Sequence, residues 1–179
     1  MEKLILGKCP MCGGDVVKTR KGYKCIHNTG ASDACGLFIY SIIGNKIMTD
    51  DEISELLVKK EILIDGFASK DGKAFSTVLS LNPNGQVDMN STVAVCPNCG
   101  GDIKVNMRAF GCSNFHHPDK PCKFTAWRNI AGHKLTLAEI REICEIGSTS
   151  TALTFFTEDG TAYEKKLSLS QDKLTLVKS

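Results

Sequence analysis

The stretch Cys9-Pro10-Met11-Cys12-Gly13-Gly14-Asp15 returns almost unchanged as Cys96-Pro97-Asn98-Cys99-Gly100-Gly101-Asp102. Two further cysteines follow each stretch, Cys25 and Cys35 in the first case and Cys112 and Cys122 in the second. All four cysteines recur 87 residues later, and we call two residues 87 positions apart matched positions. A repeat of this length within 179 residues predicts two similar small units in tandem.

The repeat predicts a first unit over residues 1–89, a linker over 90–92 and a second unit over 93–179. Units of this size have a small core, and a structural metal then contributes much of the stability. The composition, 42% hydrophobic and 23% charged, is typical of a globular protein, and no apolar run is long enough to cross a bilayer. The apolar part of the N-terminal segment is too short for a signal peptide, which predicts a cytoplasmic protein without a membrane partner.

In the cytoplasm thiols stay reduced, so nine cysteines favour metal binding over disulfides. Both units have the spacing C-x2-C-x12-C-x9-C, and four thiolates that converge from two turns are typical of a closed tetrahedral zinc site. The sequence therefore predicts two structural Zn²⁺ ions; iron is the alternative metal. Each ion with four thiolates carries a net charge of −2, which changes the formal charge of the chain from +2 to about −2. The predicted ligands are Cys9, Cys12, Cys25, Cys35, Cys96, Cys99, Cys112 and Cys122.

Other residues could take part in these sites, but the sequence favours simpler roles for them. His27, His116 and His117 lie near the cysteines and could donate nitrogen, although four cysteines already complete each site. Cys144 matches Leu57, which favours a small buried apolar residue over a nucleophile.

The segments around the cysteines predict strands and one helix in each unit. A basic turn between two short runs predicts a hairpin over residues 16–24. Thr49 with Glu52, and Thr136 with Glu139, have capping-box spacing and predict a helix start in each unit. Asp71-Gly72 and Asp159-Gly160 predict a further hairpin after each helix. The predicted fold is therefore α+β, with each unit a four-cysteine zinc ribbon of β-hairpins followed by one helix and a β-hairpin.

Aromatic residues stand beside cations in both units, a combination that suits single-stranded nucleic acid because rings stack on bases while cations hold phosphates. The alternative is that aromatic residues fill the cores, which we favour for Phe38, Phe67, Phe75, Phe124, Phe156 and Tyr163. The predicted DNA-contacting residues are Arg20, Lys21, Tyr23, Lys24, Tyr40, Arg108, Phe110, Phe115, Lys123, Trp127 and Arg128.

The sequence contains no phosphate-binding loop, no paired acidic motif at metal-binding spacing and no Ser/His/Asp set in a recognisable context. A hydrolytic metalloenzyme would need an open zinc position, which four cysteine ligands exclude. The chain is therefore predicted not to be an enzyme on its own.

Several segments resemble the C-terminal zinc ribbons and repeats of bacterial type IA, topoisomerase III-like DNA topoisomerases. They are residues 96–101, 110–115 and 122–127, the segment 130–136 with the helix that follows it, and residues 66–75. The resemblance covers nearly the whole chain and implies zinc binding and a grip on single-stranded DNA. The cleaving tyrosine, the acidic magnesium-binding domain and the toroidal core of that family need a far longer chain, so the resemblance does not imply DNA relaxation here.

Two hypotheses of different classes follow. The first is a zinc-binding module that binds single-stranded DNA as an accessory to topoisomerase-like reactions. The second is a zinc-stabilised scaffold that docks onto a topoisomerase core, a polymerase or another DNA-processing protein.

Overall fold

The computed structural model describes residues 4–179. The predicted first unit and the N-terminal segment begin with residues 1–3, which lie outside the described residues. The described residues form two compact units, the first ending at Asn90 and the second beginning at Ser91. Strands and two helices make up both units, so the predicted α+β class is confirmed. Each unit is described below by itself.

The first unit begins with the cysteine-bearing sheet, which we call the ribbon. Its four antiparallel strands follow the order of the chain: β1 (Ile5–Lys8), β2 (Asp15–Lys18), β3 (Gly22–Cys25) and β4 (Phe38–Tyr40). The β2–β3 hairpin confirms the turn predicted between the thiol pairs, and it places Val16 opposite Cys25. The hairpin therefore brings Cys25 close to Cys9 and Cys12.

A small hairpin, a helix and a second sheet complete the first unit. They are β5 (Ile42–Ile43), β6 (Lys46–Ile47), α1 (Asp50–Lys59), β7 (Glu61–Ala68), β8 (Ala74–Leu81) and β9 (Val87–Asn90). The last three strands form one antiparallel sheet in that order. Helix α1 buries Ile53, Leu56 and Leu57, the apolar face expected from their spacing. These side chains join Val16, Ile39 and other ribbon residues in one core.

The second unit has its own ribbon and helix. Its elements are β10 (Thr92–Val95), β11 (Asp102–Val105), β12 (Ala109–Cys112), the 3₁₀ helix η1 (Ser113–His116), β13 (Thr125–Trp127), β14 (Asn129–Ile130), β15 (His133–Lys134), α2 (Leu137–Ile146), β16 (Leu153–Phe156), β17 (Ala162–Lys165), β18 (Leu167–Leu169) and β19 (Leu176–Lys178). Strands β10 to β13 form a four-stranded antiparallel sheet in chain order. The side chains of Phe110, Phe124 and Phe155 in this unit are fully buried.

Both helices begin with the predicted capping box. The Thr49 hydroxyl accepts from the N–H of Glu52 at 3.2 Å, and the Glu52 carboxylate accepts from the N–H of Thr49 at 2.9 Å. Thr136 and Glu139 make the same two bonds at 3.3 Å and 2.7 Å. Each pair satisfies two backbone donors that the first helical turn leaves without partners.

The units differ after the helix. Strand β8 runs through eight residues and pairs with both β7 and β9, whereas the matched stretch is divided at Lys166 into β17 and β18. As a result, β16–β17 and β18–β19 are two separate hairpins. The prediction that Phe156 belongs to the core is wrong: Phe156 is 45% exposed, and its neighbour Phe155 is fully buried because adjacent residues of a strand face opposite sides.

Within residues 4–179, neither helix has the length or the apolar character needed to span a membrane.

Candidate metal centres

Each candidate centre is built on a tight turn between its first two cysteines. In the first unit the N–H of Gly13 donates to the carbonyl of Cys9 at 2.9 Å, and the N–H of Cys9 donates to the carbonyl of Gly14 at 2.7 Å. Gly13 has a φ of +75°, which favours glycine. Cys96, Gly100 and Gly101 repeat both hydrogen bonds at the same lengths. The turn therefore fixes the cysteine pair in both units.

The four sulfurs of each unit converge. The Sγ atoms of Cys9, Cys12, Cys25 and Cys35 all lie within 4.8 Å of one another, as do those of the four matched cysteines. The Cys12–Cys25 and Cys99–Cys112 Sγ distances are both 3.4 Å. All nine cysteines of the chain are free thiols. Two clusters of four thiols are thus present where the sequence predicts them.

Most of the shifted thiols in the two clusters favour the neutral form in the absence of a metal ion. Burial raises the pKa of Cys25 to about 12, and it also raises the pKa values of Cys35, Cys96 and Cys112. Four neighbouring thiols do not ionise together without a compensating positive charge, and metal binding supplies that charge as it displaces the protons.

One thiol in each cluster behaves differently. The N–H of Gly14 and, after it, the imidazole of His27 lower the pKa of Cys12 to about 6. Burial by itself raises the pKa of Cys99. Hydrogen bonds from the N–H of Gly101 and from the Cys112 thiol outweigh burial and lower the pKa to about 7. The second cysteine of each turn is therefore the thiolate most readily available to an incoming metal ion.

The arrangement fits a metal ion with soft-ligand preference and tetrahedral geometry. A metal–sulfur distance of about 2.3 Å places tetrahedral sulfurs about 3.8 Å apart. The Cys9–Cys35 and Cys96–Cys122 Sγ separations of 3.5 Å and 3.7 Å are close to that spacing. Each cluster could therefore hold one metal ion with no coordination position left open.

Polar side chains outside the cysteines also contact the sulfurs; His27 was considered from the sequence, whereas Asn98 and Asn114 were not predicted. The Asn98 amide donates to Cys122 Sγ at 3.4 Å, and the Asn114 amide donates to Cys99 Sγ at 3.5 Å. In the first unit His27 Nδ1 lies 3.4 Å from Cys12 Sγ. His27 and Asn114 occupy matched positions, so a residue-by-residue comparison of the repeats could have found this pair.

Three of the residues predicted to contact DNA are buried, which corrects their assignment. Tyr23 is 1% exposed, and its hydroxyl donates to Asp50 Oδ1 at 2.8 Å. Phe110 is fully buried. Arg128 is 5% exposed, and its guanidinium donates to the carbonyl of Asn106 at 3.0 Å, which holds the β11–β12 turn. These side chains cannot stack on bases or meet phosphates because they already support the core and the turn.

The other predicted DNA-contacting residues lie at the surface or are partly exposed. Tyr40 and Trp127 are exposed by 63% and 58%. Phe115 is half-buried, and the Lys123 ammonium covers its ring at 4.1 Å from the ring centre. Lys24 is partly exposed, and the exposed cations of the predicted set are Arg20, Lys21, Arg108 and Lys123.

Comparisons with known proteins agree with the family resemblance. Residues 34–90 match a family described as the C-terminal repeat of topoisomerase. The chain is also 23% identical to DNA topoisomerase 1 of Bacillus anthracis over 189 aligned positions, which cover 99% of this chain and 21% of that protein. No solved structure matches the chain significantly.

The chain spans about a fifth of the length of this relative. What it matches is an accessory C-terminal portion without the catalytic core, as predicted. The resemblance of the sequence to the C-terminal region of bacterial DNA topoisomerases is thereby confirmed.

Proposed function

We propose that this chain is a zinc-binding accessory module that holds single-stranded DNA in topoisomerase-like reactions. We further propose that each cysteine cluster holds Zn²⁺, since four thiolates in a closed tetrahedral set suit this ion and leave it a structural role. The module would be a tandem repeat with units at 1–89 and 93–179 joined by residues 90–92. It would act in the cytoplasm without a membrane partner.

The observation that carries the DNA proposal is a matched pair of exposed aromatic rings. Tyr40 ends β4 and Trp127 ends β13, 87 residues apart, and more than half of each side chain is exposed. Each ring has a small residue as its cross-strand neighbour, Gly22 for Tyr40 and Ala109 for Trp127. The small neighbour leaves the cross-strand side of each ring uncovered, although the Phe38 ring meets that of Tyr40 edge to face at 5.0 Å. Stacking of an unpaired base on such a ring is worth about 1–3 kcal/mol.

In both units a backbone hydrogen bond joins the residue after the exposed ring to a basic residue. The N–H of Ser41, next to Tyr40, donates to the carbonyl of Lys21 at 3.1 Å. The N–H of Arg128, next to Trp127, donates to the carbonyl of Arg108 at 2.9 Å. Lys21 and Arg108 are both exposed and occupy matched positions. A ring with a neighbouring cation is the combination that holds a base and its phosphate.

The test uses the single tryptophan of the chain as its reporter. Titration of the zinc-loaded chain with oligo(dT) should quench Trp127 fluorescence and raise the anisotropy of a labelled strand. Tyr40→Ala with Trp127→Ala should weaken binding by at least tenfold, since about 1–3 kcal/mol per base is lost at each ring. Phe156→Ala, which also removes an exposed ring from the second unit, is the matched control and should bind as the parent does.

Binding should weaken with salt, because phosphate contacts release counterions. Equal affinity for a duplex and a single strand would contradict the preference for single strands. No binding of either strand form at low salt would overturn the DNA proposal.

The second candidate function, a scaffold that docks onto a topoisomerase core, rests on an apolar strip in the first unit. Ile42 and Ile47 are cross-strand neighbours in the β5–β6 hairpin and are 60% and 75% exposed. The matched residues of the second unit are Asn129 and Lys134, which form the same hairpin pair. The hairpin therefore forms without isoleucine, and the exposed apolar pair suits a protein partner.

The two candidates are separated by one double variant. Ile42→Asn with Ile47→Lys should abolish binding to a purified topoisomerase catalytic core and leave oligo(dT) affinity unchanged. Loss of DNA affinity in this variant would instead assign the strip to the nucleic-acid surface.

A further inference from the structure

The two cysteine clusters differ in the side chain beside their most exposed thiol. In the first unit this side chain is His27, whose Nδ1 lies 3.4 Å from Cys12 Sγ, the same separation as that between the Cys12 and Cys25 sulfurs. In the second unit it is Asn114, whose amide lies 3.5 Å from Cys99 Sγ. His27 and Asn114 occupy matched positions beside matched thiols, so the two clusters differ here in the chemistry of the side chain.

That chemistry decides which of them can bind a metal ion. A neutral imidazole nitrogen has a lone pair and is a common zinc ligand. The nitrogen of a carboxamide has two N–H donors and no lone pair available for a metal ion, and its carbonyl oxygen is a hard ligand that suits magnesium or calcium better than zinc. His27 is therefore the better replacement for a thiolate ligand, whereas Asn114 donates a hydrogen bond to one.

The backbone of His27 is already tied to the cluster. The N–H of His27 donates to Cys25 Sγ at 3.4 Å, which fixes the residue beside a ligand. Its ring rests on Gly14, where an added Cβ would lie 2.8 Å from Nδ1. Glycine at this position is thus what admits the ring to the edge of the cluster.

The ring also has room to turn. An open cleft of about 670 Å³ lies over Cys12, His27 and Cys35, and His27 is exposed. If the Cys12 sulfur were removed, a rotation about the side-chain bonds of His27 would bring Nδ1 toward the vacated corner. The ring proton would then reside on Nε2, which leaves the Nδ1 lone pair free for the metal ion.

We propose that His27 is a reserve ligand of the first metal site: when the Cys12 thiolate is lost, His27 Nδ1 takes its place and the site stays closed with three thiolates and one imidazole. In the second site the matched place beside Cys99 is held by Asn114, which offers no imidazole. This proposal rests on metal binding by the two clusters and is independent of DNA binding.

The test counts metal ions in the full chain loaded with Co²⁺, whose absorption spectrum reports the ligand set. Cys12→Ala should retain two ions per chain, with a spectrum altered by the exchange of one sulfur for one nitrogen. Cys12→Ala with His27→Ala should retain one ion, and so should Cys99→Ala alone. His27→Ala alone should retain two ions and the spectrum of the parent, since four thiolates remain.

A gain-of-function variant gives a second measurement in the other unit. Cys99→Ala with Asn114→His should recover the ion that Cys99→Ala loses, because the histidine then stands where His27 stands in the first unit. This pair also serves if Cys12→Ala fails to fold.

Retention of one ion by folded Cys12→Ala would overturn the proposal, as would failure of Asn114→His to restore the ion. Failure of the parent chain to bind two ions would instead overturn the metal sites themselves.

Discussion

The two units join their ribbon to their helix by different chemistry at matched positions. In the first unit the buried Tyr23 hydroxyl donates to Asp50 at 2.8 Å, and the Lys18 ammonium donates to the same carboxylate at 2.7 Å. In the second unit the matched residues are Phe110, Leu137 and Val105. Phe110 and Val105 are buried, and none of the three carries a charge. At these matched positions the first unit therefore has a polar contact between ribbon and helix, whereas the second unit has three apolar residues.

The difference shows which parts of the repeat depend on residue identity. The cysteines, the Gly-Gly turn and the capping boxes recur in both units, since a closed four-cysteine cluster and a capped helix start each require particular residues. The contact between ribbon and helix does not require particular residues. It requires only that side chains fill the space and that any buried polar group has a hydrogen-bond partner. We therefore expect the units to respond alike to metal loss and differently to pH.

Metal loss should have the largest effect, on the order of 10 kcal/mol of apparent binding free energy per site. Cys25→Ala should unfold the first unit and Cys112→Ala the second, since each cluster closes one ribbon. The fluorescence anisotropy of Trp127 should fall in Cys112→Ala and stay unchanged in Cys25→Ala, because the only tryptophan lies in the second unit. A fall in both variants would show that the units do not fold independently.

Exchange of the buried aromatic residues should have the next largest effect. Tyr23→Phe removes the hydroxyl that donates to Asp50 and should cost about 1.5–3 kcal/mol, since the acceptor is charged. The reverse change Phe110→Tyr should cost about 1–3 kcal/mol, because Leu137 offers no acceptor where Asp50 does. Chemical denaturation followed by amide NMR resonances of each unit measures both values. A stabilised Phe110→Tyr variant would contradict the apolar account of the second unit.

Features encoded by neighbouring residues were predictable from the sequence. The cysteine spacing, the capping boxes and the glycine turns each depend on a few residues close in the chain, and the structure contains them. The resemblance to topoisomerase C-terminal regions rests on the same local motifs.

Features set by strand pairing were not predictable. Tyr23 and Phe110 stand beside basic turns, and only the register of the ribbon shows that they face the core. Phe155 and Phe156 are adjacent, so a shift of one residue decides which is buried. The sequence predicts that Arg128 is a surface cation. In the structure its guanidinium donates to the carbonyls of Met107 and Asn106 in the β11–β12 turn, 21 and 22 residues away in sequence.

The pH dependence should separate the units at alkaline pH. Burial and, after it, the hydrogen bond to Asp50 raise the pKa of Tyr23 to about 12. A raised pKa means that the folded state favours the neutral phenol, so this stabilisation is complete below the ordinary value of about 10 and is lost as the pH rises through 12. The stability difference between the parent and Tyr23→Phe should therefore shrink over this range. The second unit, with Phe110, has no such contribution and serves as the internal control.

The same link should also weaken in acid. Hydrogen bonds from Lys18 and Tyr23 hold the pKa of Asp50 below its usual range. The folded state then favours the carboxylate, so the stabilisation is present above about 3.9 and is lost as the pH falls through the lowered value. The difference between the parent and Asp50→Asn should shrink below about pH 4. The parent and Asp50→Asn both keep the eight clustered cysteines, so effects of pH on the cysteine clusters cancel in the comparison. A constant difference across this range would contradict the role of Asp50.

The helix caps should have the smallest effect and should be equal in the two units. Thr49→Ala and Thr136→Ala each remove one acceptor for a first-turn N–H and should each cost about 1 kcal/mol. Serine at either position keeps the hydroxyl and is the matched control. The partner glutamates differ, since Glu52 pairs with Lys46 at 3.0 Å and Glu139 with His133 at 3.1 Å. A cost that is clearly larger in one unit would show that the neighbouring Lys46 or His133 side chain, rather than the threonine, holds the glutamate in the capping box of the other unit.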